Sequence, residues 1–351
     1  MFTLSDASDD TKKILKWLGI GLVILICLFL LIKALLFIKD VFYPTPPPKP
    51  TVAYGKLQPA FFPNNITDKK LTYSINTVTG LLPVFPNQIK VYVINPNEPD
   101  LLALTKMQDK FYSGGFAGAP VELSNQLYKW SNDPNRGGIA RTIEGNIVDS
   151  SFSINSNFTS DSDVLSAQGL PNETQAIELS SGFLQNMSFL SDDLDTTKTK
   201  TKLFAIQNGV LTSATSLSTS QIIEVDYYQK DVNKLPIFYE DATSSNIKML
   251  VAGGYSNGQI VAGQYVHQEV GNNSSTYPIV TADEALLKLK AGKGFISSYF
   301  GTSSNISITN VFLAYYISSK PQDFAIPVYV FVGNDGFYSY VTAVKDEWIS
   351  N

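Results

Sequence analysis

Thr281-Ala282-Asp283-Glu284-Ala285-Leu286-Leu287-Lys288-Leu289 opens the stretch that decides the fold. Thr281 followed three residues later by Glu284 is the signature of a helix start, in which each side chain satisfies the other's backbone donor. Ala282, Ala285, Leu286 and Leu289 recur at helical spacing and predict one buried face. Gly292 and Gly294 break the helix. Strands are predicted next at 306–318, 325–332 and 337–344, with Asn334-Asp335-Gly336 as a hairpin turn. A helix with one apolar face laid on an antiparallel sheet is an α+β arrangement.

Two upstream stretches show the same order. A helix is predicted to begin at Asn172, with Gln175 completing a capping box and Pro171 blocking backward extension. Ala176, Leu179, Phe183, Met187 and Leu190 form its apolar stripe. Strands follow at 202–206, 221–228, 235–239, 248–251 and 259–266. Further upstream a helix is predicted over 100–113, capped by Asp100, with Leu101, Leu104, Met107 and Phe111 on one face and Gly114 at its end. Strands are expected before it at 71–78 and 90–94, and after it at 126–130, 139–143 and 151–154. Asn208-Gly209 and Asn257-Gly258 mark further tight turns.

The last two stretches carry a shared motif. Val225-Asp226-Tyr227-Tyr228 leads to Leu235-Pro236-Ile237-Phe238, and Leu313-Ala314-Tyr315-Tyr316 leads to Ile326-Pro327-Val328-Tyr329. Proline fits a strand start, where no ladder donor is needed. Together with Thr281-Ala282-Asp283-Glu284 and Phe337-Tyr338-Ser339-Tyr340-Val341-Thr342-Ala343-Val344, these segments make residues 170–345 resemble the PepSY-like repeat, in the version found in the YycH and YycI family. The resemblance implies bacterial proteins with an N-terminal membrane anchor and extracytoplasmic helix-on-sheet repeats. It further implies binding to, and restraint of, a membrane sensor kinase, partly through the transmembrane helix.

Between Trp17 and Ile32 no residue is charged, and Ala34 to Ile38 continue the apolar run after Lys33. About 20 helical residues span the hydrocarbon core of a bilayer. Lys33 can snorkel, and Trp17 and Tyr43 suit the interfaces. No small-residue cleavage site follows, so the run reads as an anchor rather than a cleaved signal. Lysines are nearly balanced on its two sides; the short leading tail and the low-charge bulk favour a cytoplasmic N-terminus. Tyr43-Pro44-Thr45-Pro46-Pro47-Pro48-Lys49-Pro50 predicts a polyproline II stalk. The expected organisation is a cytoplasmic tail over 1–13, a transmembrane helix over 14–40 and a stalk over 41–51. An N-terminal α+β domain over 52–165 comes next, then PepSY-like repeats over 166–270 and 271–351.

Charged residues make up 16% of the chain, below the roughly 25% usual for soluble domains. The net charge of -5 leaves no basic stripe for nucleic acid and no attraction to anionic headgroups. The single cysteine, Cys27, lies in the apolar run, so the rest of the chain has no disulfide framework and no thiolate chemistry.

Several motifs could carry chemistry. Gly254-Tyr255-Ser256-Asn257-Gly258 matches the G-x-S-x-G nucleophile elbow, but that elbow needs a helix after it and an acid before the histidine. Here a strand is predicted next, and no acid separates Ser256 from His267, the single histidine. A hairpin turn accounts for the pattern. His267 reads as a partly exposed strand-end residue. Asp161-Ser162-Asp163 and Asp192-Asp193-Leu194-Asp195 offer carboxylates for calcium but lack EF-hand spacing, so solvated loops are expected. Glu224 and Asp226 alternate along a strand and are expected on its solvent face. Lys293, between Gly292 and Gly294, lacks the remainder of a phosphate loop. The sequons at Asn65, Asn157, Asn172, Asn186, Asn272, Asn273 and Asn305 permit glycosylation without demonstrating it.

No catalytic, cofactor-binding or metal-binding residue is assigned. The expectation is a non-enzymatic, membrane-anchored extracytoplasmic binding or regulatory module with a membrane-protein or cell-envelope partner. A structural or adhesive envelope protein binding glycan or itself is the alternative, and a hydrolase the third class.

Overall fold

The computed structural model describes residues 4–42, 48–67, 69–98, 100–133, 138–254 and 258–350. Residues 43–47 of the expected stalk, and Tyr255, Ser256 and Asn257 of the elbow motif, lie outside them. In chain order the elements begin with helix α1 (Leu4–Phe42), strands β1 (Thr72–Ile75) and β2 (Gln88–Ile94), and helix α2 (Ala103–Ser113). Strands β3 (Val121–Glu122), β4 (Leu127–Ser131), β5 (Arg141–Asn146) and β6 (Phe152–Ser156) follow, then helices α3 (Ser162–Leu165) and α4 (Glu173–Asn186). Next come β7 (Lys200–Gln207), β8 (Val210–Ser213), β9 (Ile222–Tyr227), β10 (Ile237–Phe238), β11 (Ile247–Ala252), β12 (Gln259–Tyr265) and β13 (Val270–Pro278). Helix α5 (Ala282–Lys290) precedes β14 (Phe295–Ser298), β15 (Asn305–Tyr316), β16 (Phe324–Gly333) and β17 (Tyr338–Thr342).

The chain is α+β and mostly sheet. It divides into two units, Met1–Lys49 and Pro50–Asn351. In the first, Leu15–Ile38 of α1 is long and apolar enough to cross a membrane, and its side chains are exposed. Among its described residues the second unit holds two sheets. One has nine strands in the order β3-β4-β5-β6-β12-β11-β9-β7-β8, every neighbouring pair antiparallel. The other has eight, built on β1-β15-β16-β17-β14, with β10 also on β15 and β2 bridging β13 and β16.

The sheets draw on distant parts of the chain. Strands β1 and β2 join β15 and β16, more than 200 residues later, while β3 to β6 join β12 and its neighbours. The division expected at 165 therefore runs through both sheets, and the one at 270 through the eight-stranded sheet. Periodicity identifies an element; it does not name its neighbour.

Helices α2 and α4 cover one face of the nine-stranded sheet. Met107 and Phe111 of α2 pack with Trp130, Ile143 and Phe152, and Ala176 and Leu184 of α4 pack with Ile223, Val225 and Met249. Gly145 is required here: a Cβ would lie 2.6 Å from the Met107 sulfur and 2.7 Å from the Phe111 ring. Helix α2 starts at Ala103, not at Asp100. Asp100 accepts the Leu102 N–H and pairs with Lys106 at 2.6 Å, forming a turn ahead of the helix. Leu101 consequently projects into solvent rather than joining the buried face.

The capping boxes at Asn172–Gln175 and Thr281–Glu284 form as expected. Ala282, Ala285, Leu286 and Leu289 are buried against Val311, Tyr329, Phe331 and Val341 of the eight-stranded sheet. Its opposite face buries Ala314, Tyr316, Val328 and Tyr340 under Phe62 and Phe238. Asn208 and Gly209 both take positive φ between β7 and β8, the two-residue hairpin geometry. Strand β13 was not legible beforehand: its Asn272-Asn273-Ser274-Ser275 core reads as loop, and it is held as a strand by pairing with β2.

Candidate functional site

A cleft of about 630 Å³ lies in the second unit, where the loops after α4, β5 and β12 meet the β15–β16 turn and the end of β2. Its wall begins with Tyr265 at the end of β12. The Tyr265 ring stacks on Phe152 at 5.1 Å and meets the edge of Phe189 at 5.0 Å. Phe189 follows α4 and is placed by its N–H bonding back to the Leu184 carbonyl at 2.8 Å. Lys110, from α2, holds its Nζ 4.5 Å above the Phe189 ring. Burial lowers the Lys110 pKa, and the neighbouring positive charge of Lys106 lowers it further. Among the described residues no carboxylate lies within ion-pair distance of Lys110, so the ring face and the Ser188 carbonyl at 3.5 Å are its partners.

His267, two residues past Tyr265, directs Nε2 to both Asp193 oxygens, at 2.8 and 3.0 Å. It is partly exposed, as expected, but it is not free of partners. Asp193, in turn, is held within this contact rather than lying in a solvated loop. Burial alone would raise its pKa. Hydrogen bonds and charge from His267, with Gln229 and Ser191, outweigh burial and hold it at about 2. Leu194 beside it is buried, Asp195 caps a short turn at Thr197, and Lys230 Nζ bonds the Asp192 carbonyl. Asp161 similarly caps α3 by accepting the Asp163 and Val164 N–H groups. These carboxylates hold backbone in place.

Three glutamines carry the network onward. Gln229 Nε2 donates to Asp193 at 2.8 Å and to the Gln268 carbonyl at 3.0 Å, while its Oε1 accepts from Tyr239 at 3.1 Å. Gln268 Nε2 donates to the carbonyls of Ser318 and Lys320, and its Oε1 accepts the Gln322 N–H. Gln322 bonds Tyr316, Phe324 and Ser318. Glu240 Oε1 closes the turn by accepting from the Ser319 N–H and hydroxyl and the Ser318 hydroxyl. The two sheets are thus tied by a chain of side-chain amides at the base of the cleft.

A second cluster of charge lies on the nine-stranded sheet. Glu224 and Asp226 were expected in solvent; both are buried, Asp226 completely. Lys202 Nζ on the adjacent β7 sits 2.8 Å from Glu224 and 2.7 Å from Asp226. The Ser244 hydroxyl and the Ser245 N–H close over Asp226. Burial raises the Asp226 pKa, the Glu224 charge adds to this, and Lys202 and Ser244 offset only part. Burial of Lys202 is outweighed by its two acids, so its pKa is raised. One cation between two carboxylates holds a strand crossing together; it is not an open acid pair facing a substrate channel.

Strand β12 begins at Gln259, directly after the elbow motif, where a nucleophile elbow requires a helix. No sequence signal marks Lys110, Phe189, Gln229, Gln268 or Gln322. Asp193 and His267 are 74 positions apart, and only the fold brings them together. No family model matches the sequence, and no curated protein matches it either.

Proposed function

We propose that this chain is a membrane-anchored, non-enzymatic binding and regulatory module whose bulk faces the cell exterior and whose docking site is the cleft beside His267. The observation that carries this reading is the state of the cleft's polar groups. His267 Nε2 and Gln229 are bonded to Asp193, and Gln229, Gln268 and Gln322 bond one another or backbone carbonyls at the base of the cleft. What the cleft presents is the exposed Phe61 and the Lys110 ammonium over the Phe189 ring, an aromatic and a cation of the kind that recognise a partner.

The order of elements supports a reading as three diverged PepSY-like units: α2 with β4-β5-β6, α4 with β7-β9-β11-β12, and α5 with β15-β16-β17. Each unit is a helix followed by an antiparallel run. An apolar anchor in the same chain supports a partner in the same membrane, a sensor protein being the type that the PepSY-like resemblance suggests.

The test is crosslinking from native membranes. A photoreactive residue is placed at Ser150 or Ser191 in the cleft and, as a control, at Val210 on β8. One integral membrane protein captured from the cleft positions only, and lost when residues 1–50 are removed, is the expected result. Recovery of wall polymer or self-complexes equally from all three positions would overturn the regulatory reading in favour of a structural or adhesive role.

A further inference from the structure

The connection between β1 and β2 is unusual in composition. No charged residue occurs between Lys70 and Lys90, a stretch that includes Val78, Leu81, Leu82, Pro83, Val84 and Phe85. The fold divides these side chains sharply. Leu82 and Phe85 turn inward and pack on the α5 side of the eight-stranded sheet, with the Phe85 ring 5.3 Å from Tyr329. Val78, Leu81 and Val84 turn outward and are 105%, 71% and 98% exposed.

The tip is held by its own backbone. The Gly80 N–H bonds the Thr77 carbonyl at 3.0 Å, and the Thr77 hydroxyl bonds the Leu81 carbonyl at 2.7 Å. Gly80 takes φ +71°, a turn conformation that a residue with a Cβ resists. At the loop's ends the Asn76 N–H bonds Ile308 and the Asn87 carbonyl accepts from Ile279. Three apolar side chains are therefore presented by an ordered loop fixed at both ends.

We propose that this loop inserts into the surface of the bilayer that holds the anchor, with Val78, Leu81 and Val84 among the lipid headgroups and upper acyl carbons. The proposal rests on the reading of Leu15–Ile38 as a membrane span. Residues 39–49 join that span to the second unit, and even fully extended they reach about 40 Å, so the unit never leaves the vicinity of the bilayer. A protein partner is disfavoured by size: stable interfaces bury about 800 Å² per side, more than three side chains supply. The absence of charge, with the chain's net -5, makes neutral lipid the matching surface rather than anionic headgroups.

The test uses the full chain carrying Cys27→Ser and Thr79→Cys, labelled with an environment-sensitive fluorophore and reconstituted into phosphatidylcholine vesicles. Flotation with the vesicles reads the anchor; quenching reads the loop. The expected result is flotation, a blue-shifted emission, and at least threefold stronger quenching by nitroxide lipids than a Val210→Cys control gives. Adding Leu81→Asp and Val84→Asp abolishes the difference while circular dichroism is unchanged, since both positions are exposed. Flotation with quenching by aqueous iodide alone overturns the insertion and leaves the anchor standing. A blue shift without lipid quenching overturns it in favour of a protein contact. Failure to float overturns the anchor reading and the insertion with it.

Discussion

Two strands in this molecule begin from almost the same sequence and end in opposite situations. Val225-Asp226-Tyr227 ends β9 of the nine-stranded sheet, with Tyr228 just past it, and Leu313-Ala314-Tyr315-Tyr316 ends β15 of the eight-stranded sheet. Each is followed by an apolar-Pro-apolar-aromatic segment. Ile326-Pro327-Val328-Tyr329 folds back antiparallel on its own tyrosines, Tyr315 opposite Pro327. Leu235-Pro236-Ile237-Phe238 does not return to β9. It crosses to the other sheet and pairs parallel with Tyr315 and Tyr316, its Pro236 and Phe238 carbonyls accepting the Tyr315 and Ile317 N–H groups. One strand thus collects both proline segments. The vacated side of β9 is taken by β11, and Asp226 stands where the other strand has Ala314. Similar local patterns fix similar strands, and the competition for neighbours is settled globally.

The comparison can be broken most severely by exchanging the residue that differs. Ala314→Asp puts a carboxylate into a fully buried position with no cation beside it. A loss of about 5 kcal/mol, enough to prevent folding, is expected in urea titrations of the detergent-solubilised chain. Removing the cation from the other strand comes next. Lys202→Met leaves Glu224 and Asp226 buried together and costs about 3 kcal/mol at neutral pH. The sign with pH follows from the raised pKa of Asp226. Its stabilisation is present below the unfolded value and is lost as pH rises through the folded one, so this variant regains stability on acidification toward pH ~4. A variant no more stable at pH ~4 than at pH ~7 would show that Asp226 is not the group left uncompensated.

The cleft's acid follows the opposite rule, which sharpens the contrast between a fully buried and a partly exposed aspartate of one unit. Asp193 is held at about 2, so its stabilisation is full above the ordinary carboxylate value and is lost as pH falls through the folded one. The difference is worth about 2 kcal/mol. His267→Gln removes most of it, and thermal melts between pH ~4 and pH ~2 should become flatter than those of the parent chain.

The tyrosines give a smaller effect. Tyr227 bonds the Ser180 hydroxyl of α4 at 2.5 Å, whereas Tyr315 bonds the Lys90 carbonyl of β2 at 2.7 Å. Each Tyr→Phe change costs about 1 kcal/mol. Hydrogen exchange should quicken in α4 for the first and in β2 for the second; quickening at the same place in both would erase the distinction. Pro236→Ala is expected to move the melting curve least, within about 0.5 kcal/mol, because the crossing is made by the Pro236 carbonyl, which alanine retains.

The helices were the most legible part. Asn172 with Gln175 and Thr281 with Glu284 lie three residues apart, and a capping box needs nothing from elsewhere in the chain. The α2 start was misplaced because Asp100 bonds the Leu102 N–H in the manner of a cap but does so one turn early. The paired tyrosines signal strand ends, where the structure has them, but the alternation of Glu224 and Asp226 signals a solvent face that the fold covers. Lys202 and the 244–245 turn, which bury them, carry no signal near residue 224. The candidate cleft was not legible at all, since its parts come from α2, the loop after α4, the end of β12 and the β15–β16 turn.

By itself the sequence determined the apolar span, the helix boundaries set by reciprocal caps, the Asn208-Gly209 turn and the α+β class. Each depends on residues within a few positions of one another, where backbone geometry and side-chain reach are local. Only the tertiary structure decided that β1 and β2 belong with β15 and β16, that β10 leaves its own sheet, and that His267 meets Asp193. Those outcomes depend on which of several equally suitable strand edges and polar groups arrive side by side, a choice made by packing the whole chain at once.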